Sequence, residues 1–387
     1  MKRDIRPARA SDVSLDIVTS LSAVAAADWN RLAGDDPLVS HAFLSALERA
    51  GCVGGNTGWA PRHVLLQEDG RLAGALPLYL KSHSYGEYVF DWAWADAYDR
   101  HGLQYYPKLV AAVPFTPVTG RRLLADTDAH RETLIRGALQ LARELEVSSL
   151  HVLFPTPTDA QALANAGLMQ RRGVQFHWRN ADYPSFDDFL AAMNHAKRKN
   201  IRQERRKVRD AGVTFEWLEG AAITSAHWRY FTRCYRNTYR AHGSRPYLNL
   251  EFFEEIGATL APHVLLILAQ REGKPVAASL NIRAADRLCG RYWGSTEYEP
   301  GLHFETCYYQ AIEYCIARGV PLFEGGAQGE HKMARGLLPV ETFSAHWLAH
   351  PQFAEAVENF LAREGRGMAH YVSELNERTP FRRNDDA

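Results

Sequence analysis

No charge of either sign dominates this chain: 45 lysines and arginines balance 45 aspartates and glutamates over 387 residues. There is no net field to draw nucleic acid or a membrane surface to the whole molecule, so any such attraction must be local. Cysteine is scarce. Cys52, Cys234, Cys289, Cys307 and Cys315 form an odd set without a CxxC pair, which argues against a disulfide framework and for packed, reduced thiols. Long apolar runs are also missing: none approaches bilayer-spanning length, and the opening MKRDIRPARASD has no apolar core of signal-peptide size. The expectation is a cytoplasmic protein with no membrane insertion and no DNA partner; monomer and homodimer are equally compatible with the composition. What the chain does have is 46% hydrophobic residues, enough for two domains with separate cores.

An internal echo supports two domains. Residues 63–81 and 265–283 each read as strand, tight turn, strand, with Glu68-Asp69-Gly70-Arg71 and Arg271-Glu272-Gly273-Lys274 as the turns. Each hairpin is followed later by a helix and another strand: 131–144 then 149–154, and 304–317 then 320–323. A boundary is expected near 180–184, between a short aromatic strand at 174–178 and a helix starting at Phe186, giving domains 1–180 and 181–387. The residues after Glu374 read as a frayed tail.

Three segments carry polar chemistry. The first is GLHFETCYYQAIEYCIARGVPLFEGGAQGEHKMAR, residues 301–335. Phe304, Cys307, Tyr308, Ala311, Ile312 and Cys315 recur at helical spacing, Gly319 ends the helix, and a short strand then delivers Glu324, Gly325, Gly326, Gln328, Glu330, His331 and Lys332 to its carboxyl end. Ligands bind at that end in sheets with helical crossovers. The second is the basic helix 193–209, with eight lysines or arginines against one glutamate between Lys197 and Arg209; it reads as a solvated face or as an anion cradle in which Arg202, Arg205 and Arg206 meet phosphates. The third is the aromatic insertion 90–102, either a surface loop anchored by its tryptophans or a substrate wall carrying Asp96, Asp99, Arg100 and His101.

The motifs WADAYDRHG, YYPKL, PFTPVTG, KRKNIRQERR, HFETCYYQ and FEGGAQGEHK together resemble the FemAB-like N-acyltransferases, in particular the branch described as peptidoglycan biosynthesis or recognition proteins. The similarity runs from about Asp28 to Trp347. It implies an α/β (α+β) fold of two tandem GNAT-like domains, with mixed central sheets flanked by helices, and transfer of an acyl or aminoacyl group to an amine. The resemblance leaves the donor open. No Q/R-x-x-G-x-G/A loop for CoA pyrophosphate is present, and no helical arm of the kind some tRNA-dependent members insert. An acyl-CoA co-substrate is the first expectation. Aminoacyl-tRNA held by helix 197–209 is the alternative, and a non-catalytic precursor-binding protein is a third.

Direct acyl transfer needs a proton acceptor, oxyanion stabilisation and a proton for the leaving group. The expected catalytic groups are His331, Glu330 and Glu324, converging in one cleft. Lys332, Arg335, Arg291, Gln328, His303, Glu305, Asp96, Arg100 and Lys108 are the expected substrate contacts, with the Gly325-Gly326 backbone as an anion nest. His303, Glu305, Glu330 and His331 offer ligand atoms for a metal, but without HExxH or paired Cys/His spacing none is expected.

Overall fold

The computed structural model describes residues 12–327 and 329–382. Gln328 therefore lies outside the described residues, as do 383–387. In chain order the first half carries β1 (Val13–Val18), β2 (Trp59–Pro61), β3 (His63–Glu68), β4 (Arg71–Leu76), β5 (Leu78–Lys81), β6 (Lys108–Ala111), β7 (Leu124–Ala125), β8 (Ser149–Leu153) and β9 (Met169–Arg179). The second carries β10 (Val213–Glu219), β11 (Val264–Arg271), β12 (Lys274–Arg283), β13 (Leu288–Ser295), β14 (Leu322–Glu324) and β15 (Leu338–Leu348). A four-stranded sheet has the order β1-β3-β4-β7, and an eleven-stranded sheet the order β10-β11-β12-β13-β14-β9-β15-β8-β6-β5-β2.

Both expected hairpins form. Glu68 faces Arg71 and Arg271 faces Lys274 across two-residue turns. Asp69, Gly70, Glu272 and Gly273 all have positive φ between 50° and 74°, the backbone that a twisted two-residue hairpin demands. Pro77, which has no N–H to donate, stands between β4 and β5. It lets the strand leave the small sheet and enter the large one.

The duplication extends further than the sequence shows. In the first half β5 and β6 are antiparallel, helix Asp128–Glu144 follows, and β8 returns parallel to β6. In the second, β12 and β13 are antiparallel, a continuous helix 302–318 with a π-helical turn at Glu305–Tyr309 follows, and β14 returns parallel to β13. The two units then trade strands. β9, which follows β8 in sequence, pairs instead with β14 and β15. β15, which follows β14, pairs with β8. β9 and β15 lie against each other from Leu338↔His177 to His346↔Met169, and this seam joins both halves into one sheet. A shared core reinforces it, with Phe43 of the first half edge-on to Phe252 of the second at 5.5 Å.

Several expectations need correction. The aromatic strand runs over all of Met169–Arg179 rather than 174–178, because β15 pairs along its length. The basic stretch is a separate helix, His195–Asp210, capped by Asn194 after the short helix Phe186–Ala192. The insertion 90–102 is not a loop but holds helix Trp92–Arg100. The described chain after Glu374, to residue 382, is packed, not frayed: helix Pro351–Glu377 continues, Leu375 is buried, and Phe381 bridges to Met193.

The exchange predicts how the halves behave apart. Produced separately, residues 1–180 and 181–387 should each aggregate, because β8 loses β15 and β14 loses β9, leaving open hydrogen-bonding edges. Produced together they should recover a soluble complex. A soluble, cooperatively melting 1–180 fragment would contradict this.

Candidate active site

Alternation along β14 decides the fate of the expected cleft. Phe323 packs into the core beneath helix 302–318 with Ile312 and Cys315, so Glu324 faces the opposite side, toward the first half. Downstream, the chain passes Gly325 and Gly326, the latter at φ 82°, and folds back under helix 302–318. There Arg335 lies 3.4 Å from the centre of the Phe304 ring and pairs with Glu204 at 3.1 Å. His331 is exposed, with Nε2 3.3 Å from the Tyr308 hydroxyl. His303 packs on Trp293 and Tyr308, and burial pushes its pKa down to about 4. Glu330 points outward and accepts from the Tyr371 hydroxyl of the C-terminal helix. The glutamate, imidazole and cations expected to meet in one cleft are therefore divided by their own sheet.

The remaining expected contacts disperse as well. Lys332 is buried, its Nζ donating to the carbonyls of Gly326 and Ala327, and burial lowers its pKa to about 8. Glu305 is buried against Arg205 at 3.0 Å. Asp96 and Arg100 form an exposed i,i+4 pair at 3.2 Å. Lys108 has no exposed surface, and its ammonium is taken up by Ser84, Glu87 and Asp91. Arg291 donates to Phe115 O at 2.6 Å, which fastens the PFTPVTG loop over β13. No group of three or more His, Cys, Asp or Glu among the described residues could hold a metal ion.

A different site emerges where the strands are exchanged. One face of the seam carries Gln175 and His177 on β9 with Thr342, Ser344 and His346 on β15, all 5% exposed or less. Sheets covered on both faces are ordinarily apolar inside, so this buried polar stripe is anomalous. It continues to His151 on β8 and Glu324 on β14. A cavity of about 240 Å³ opens above it, lined by Gln175, Thr342 and Ser344 together with Tyr88, Phe90, Phe154, Ala327 and Glu364. At one end His177 Nε2 lies 3.4 Å from Gln175 Oε1 and 3.9 Å from Glu324 Oε2. Burial pushes the Glu324 carboxyl up to about 7 against the opposing pull of Arg287, and its Oε2 has no hydrogen-bond partner. His177 is held neutral, pushed down to about 4 chiefly by burial. Arg287 bridges Glu324 at 3.5 Å and Asp36 at 2.9 Å.

At the other end of the stripe a buried charge cluster joins Lys81, Glu87, Asp91 and Lys108. Burial lowers Lys81 and raises Glu87, each to about 7. Sequence reasoning missed Lys81, Glu87, Asp91, Gln175, His177, Ser344 and Arg287. The only available signal was polar residues alternating with apolar ones in strands, a pattern that equally describes a wet sheet face.

Two further features bear on anionic ligands. A groove of about 1160 Å³ separates the basic helix from β10 and is lined by Arg202, Arg205, Arg206, Arg209, Phe215 and Trp217. Arg205 is fixed by Glu305 and Glu313, whereas Arg206 and Arg209 are exposed and have no carboxylate partner among the described residues. By contrast, the turn entering helix 302–318 is acidic: Glu297 and Glu299 flank it, both paired with Arg271 at 2.9 and 2.6 Å. In the first half the corresponding fork between β6 and β8 is closed by its own chain, Gly120 N donating to Phe154 O at 3.0 Å.

No curated protein sequence matches this chain. Solved structures do. The crystal structure of FemX aligns over 87% of this chain and 98% of its own, at 12% identity and a TM-score of 0.54. The C-terminal domain of a putative lysylphosphatidylglycerol synthetase from Agrobacterium fabrum aligns over 86% and 94%, at 12% identity and 0.53. L-PGS from Bacillus licheniformis aligns over 84% and 97%, at 11% identity and 0.50. At such identities the likeness speaks for the fold, which agrees with the tandem GNAT-like duplication described above. The family model described as peptidoglycan biosynthesis/recognition matches residues 20–383, and the chain belongs to this FemAB-like family.

Proposed function

We propose that this transferase moves an activated carboxyl group, acyl or aminoacyl, onto an amine of a peptidoglycan-type precursor within the seam cavity, working in the cytoplasm. The observation that carries this reading is the buried polar stripe beneath the cavity, ending in a carboxyl group whose pKa burial brings to neutrality. The acceptor arrives as an ammonium ion. Its nitrogen loses one proton, attacks the carbonyl and loses a second proton as the C–N bond forms. One proton leaves with the departing group and one goes to solvent. Glu324, whose Oε2 has no hydrogen-bond partner, is suited to take a proton at pH 7, while Gln175 orients the acceptor. A covalent enzyme intermediate is disfavoured: burial pushes the Cys52 and Cys234 thiols up to about 11, and those of Cys289, Cys307 and Cys315 further still.

The geometry favours an RNA-borne aminoacyl donor over acyl-CoA. A CoA pyrophosphate seated in the fork of the second half would face Glu297 and Glu299 at the helix start. The arginine groove beside the basic helix instead offers free guanidinium groups suited to a phosphodiester chain. A binding-only role is the remaining reading, and it predicts ligand stabilisation without product.

Two outcomes are expected. The rate should rise with pH through about 7, where the raised Glu324 carboxyl loses its proton. Glu324→Gln should lower kcat/KM by roughly 100-fold or more and remove that limb. The same raised value means the folded state holds a proton that the unfolded chain has released. Stability should accordingly fall as pH climbs from the ordinary carboxylate range to 7 in the parent and stay flatter in Glu324→Gln. An unaltered pH profile in the variant would remove Glu324 from the mechanism. For the donor, tRNA affinity should drop steeply between low and moderate salt, and Arg206→Glu with Arg209→Glu should reduce the slope by about two phosphate contacts. Acetyl-CoA binding in calorimetry, with no retention of tRNA at low salt, would reverse the donor assignment.

A further inference from the structure

The seam cavity is connected to the outside by an unbroken row of hydrogen bonds unrelated to Glu324. Ser344, on the cavity wall, lies 2.8 Å from His346 Nε2. His346 Nδ1 is 2.7 Å from His151 Nδ1. His151 Nε2 is 2.7 Å from Ser149 Oγ, and Ser149 Oγ is 3.2 Å from Ser148 Oγ at the partly exposed start of β8. Every member can both give and accept a proton. Two come from β15 and three from the β8 segment, so the row exists only because the halves exchange strands.

The direction of the row is set from outside. The Tyr105 hydroxyl donates to Asp91 at 2.6 Å, so toward His151 Nε2, at 3.2 Å, it can only accept; an outward-directed row places the hydrogen on that nitrogen, shared between Tyr105 and Ser149. His151 Nδ1 must then accept, His346 Nδ1 must donate, and His346 Nε2 must accept from Ser344. Ser344 is thereby left with a lone pair toward the cavity. At the far end Ser148 donates to Tyr105 O and accepts from Ser149. Four donors point along the row toward Ser148, whose own hydrogen rests on the Tyr105 carbonyl. The ring of Trp94 stands edge-on against His346 at 4.9 Å, shielding the row from side entry of water.

Both imidazoles stay neutral. Burial is the main cause, helped by the cations Lys108 and Arg171 against the opposing pull of Asp91; His151 is pushed down to about 3 and His346 well below the ordinary imidazole range. A neutral row suits concerted relay, because no imidazolium needs to accumulate. A purely structural row would be more stable as packed apolar side chains.

Resting on the transferase reading, we infer that Ser344, His346, His151, Ser149 and Ser148 form a proton relay. It carries to solvent the one proton that acylation of an ammonium ion releases beyond the one leaving with the donor. The proton passes from the acceptor nitrogen to Ser344 Oγ, each member hands its own hydrogen to the next, and the partly exposed Ser148 turns its hydroxyl from the Tyr105 carbonyl to release its hydrogen to water. Ser149 and Ser148 do not line the cavity, so substitution there cuts the relay without touching substrate.

The test is Ser149→Ala, with Ser148→Ala as a second cut, in the full chain. Transfer at saturating substrate should slow about tenfold with KM unchanged, the melting temperature should hold, and imidazole buffer should restore the rate in proportion to its concentration. Unchanged rates in both variants, or slowing that imidazole does not relieve, would overturn the relay. If the parent enzyme shows no transfer with any donor, the transferase reading fails separately. The relay is then decided by nitrogen-15 NMR of the imidazoles at pH 7. His346 protonated on Nδ1 with His151 on Nε2 supports it, and the reverse tautomers or an imidazolium overturn it.

Discussion

The pairing of β9 with β15 is the constraint from which the rest of the molecule follows. Each strand comes from one copy of a duplicated unit and completes the sheet of the other. Strand exchange of this kind makes the two halves share one hydrogen-bond ladder, so the site at their junction cannot open by hinging without breaking backbone bonds. A rigid seam is a good place for transfer chemistry, where reacting atoms must be held within fractions of an ångström. Neither copy owns the polar stripe: His151 belongs to one, Ser344 and His346 to the other.

Electrostatics divides the molecule into a neutral interior path and a charged exterior groove. Inside, burial drives Glu324, Glu87 and Lys81 toward neutrality near pH 7 and keeps His151, His177 and His346 uncharged. Groups poised in this way exchange protons with little driving force in either direction, which general acid–base chemistry favours. Outside, Arg206 and Arg209 are exposed and have no carboxylate partner among the described residues. The approach to helix 302–318 differs: there two carboxylates, Glu297 and Glu299, share the single cation Arg271.

Much of the local structure was legible. The turns at Asp69-Gly70 and Glu272-Gly273, the helix ending at Gly319, the duplicated order of elements and the family motifs were all readable from spacing and residue type. The candidate site was less so. The FEGGAQGEHK segment does follow a strand end, but a three-residue strand places Glu324 on one face and sends His331 and Arg335 to the other. Gln175 and His177 alternate with Val174, Phe176 and Trp178, as they would in any sheet wet on one side. Nothing in the pattern says that the polar side is covered. Lys108, expected to contact substrate, is instead drawn inside by Glu87 and Asp91.

By itself the sequence determined the two hairpin turns, the helix that ends at Gly319 and the basic helix, because periodicity, caps and positive-φ residues act over a few neighbours. It also carried the duplication and the family. Only the tertiary structure decided that β9 and β15 cross between copies, because strand pairing is made by backbone groups common to every residue, and side chains constrain it only through the burial of a face. That one choice of partners turned an ordinary polar strand face into a buried, hydrogen-bonded stripe with a cavity above it.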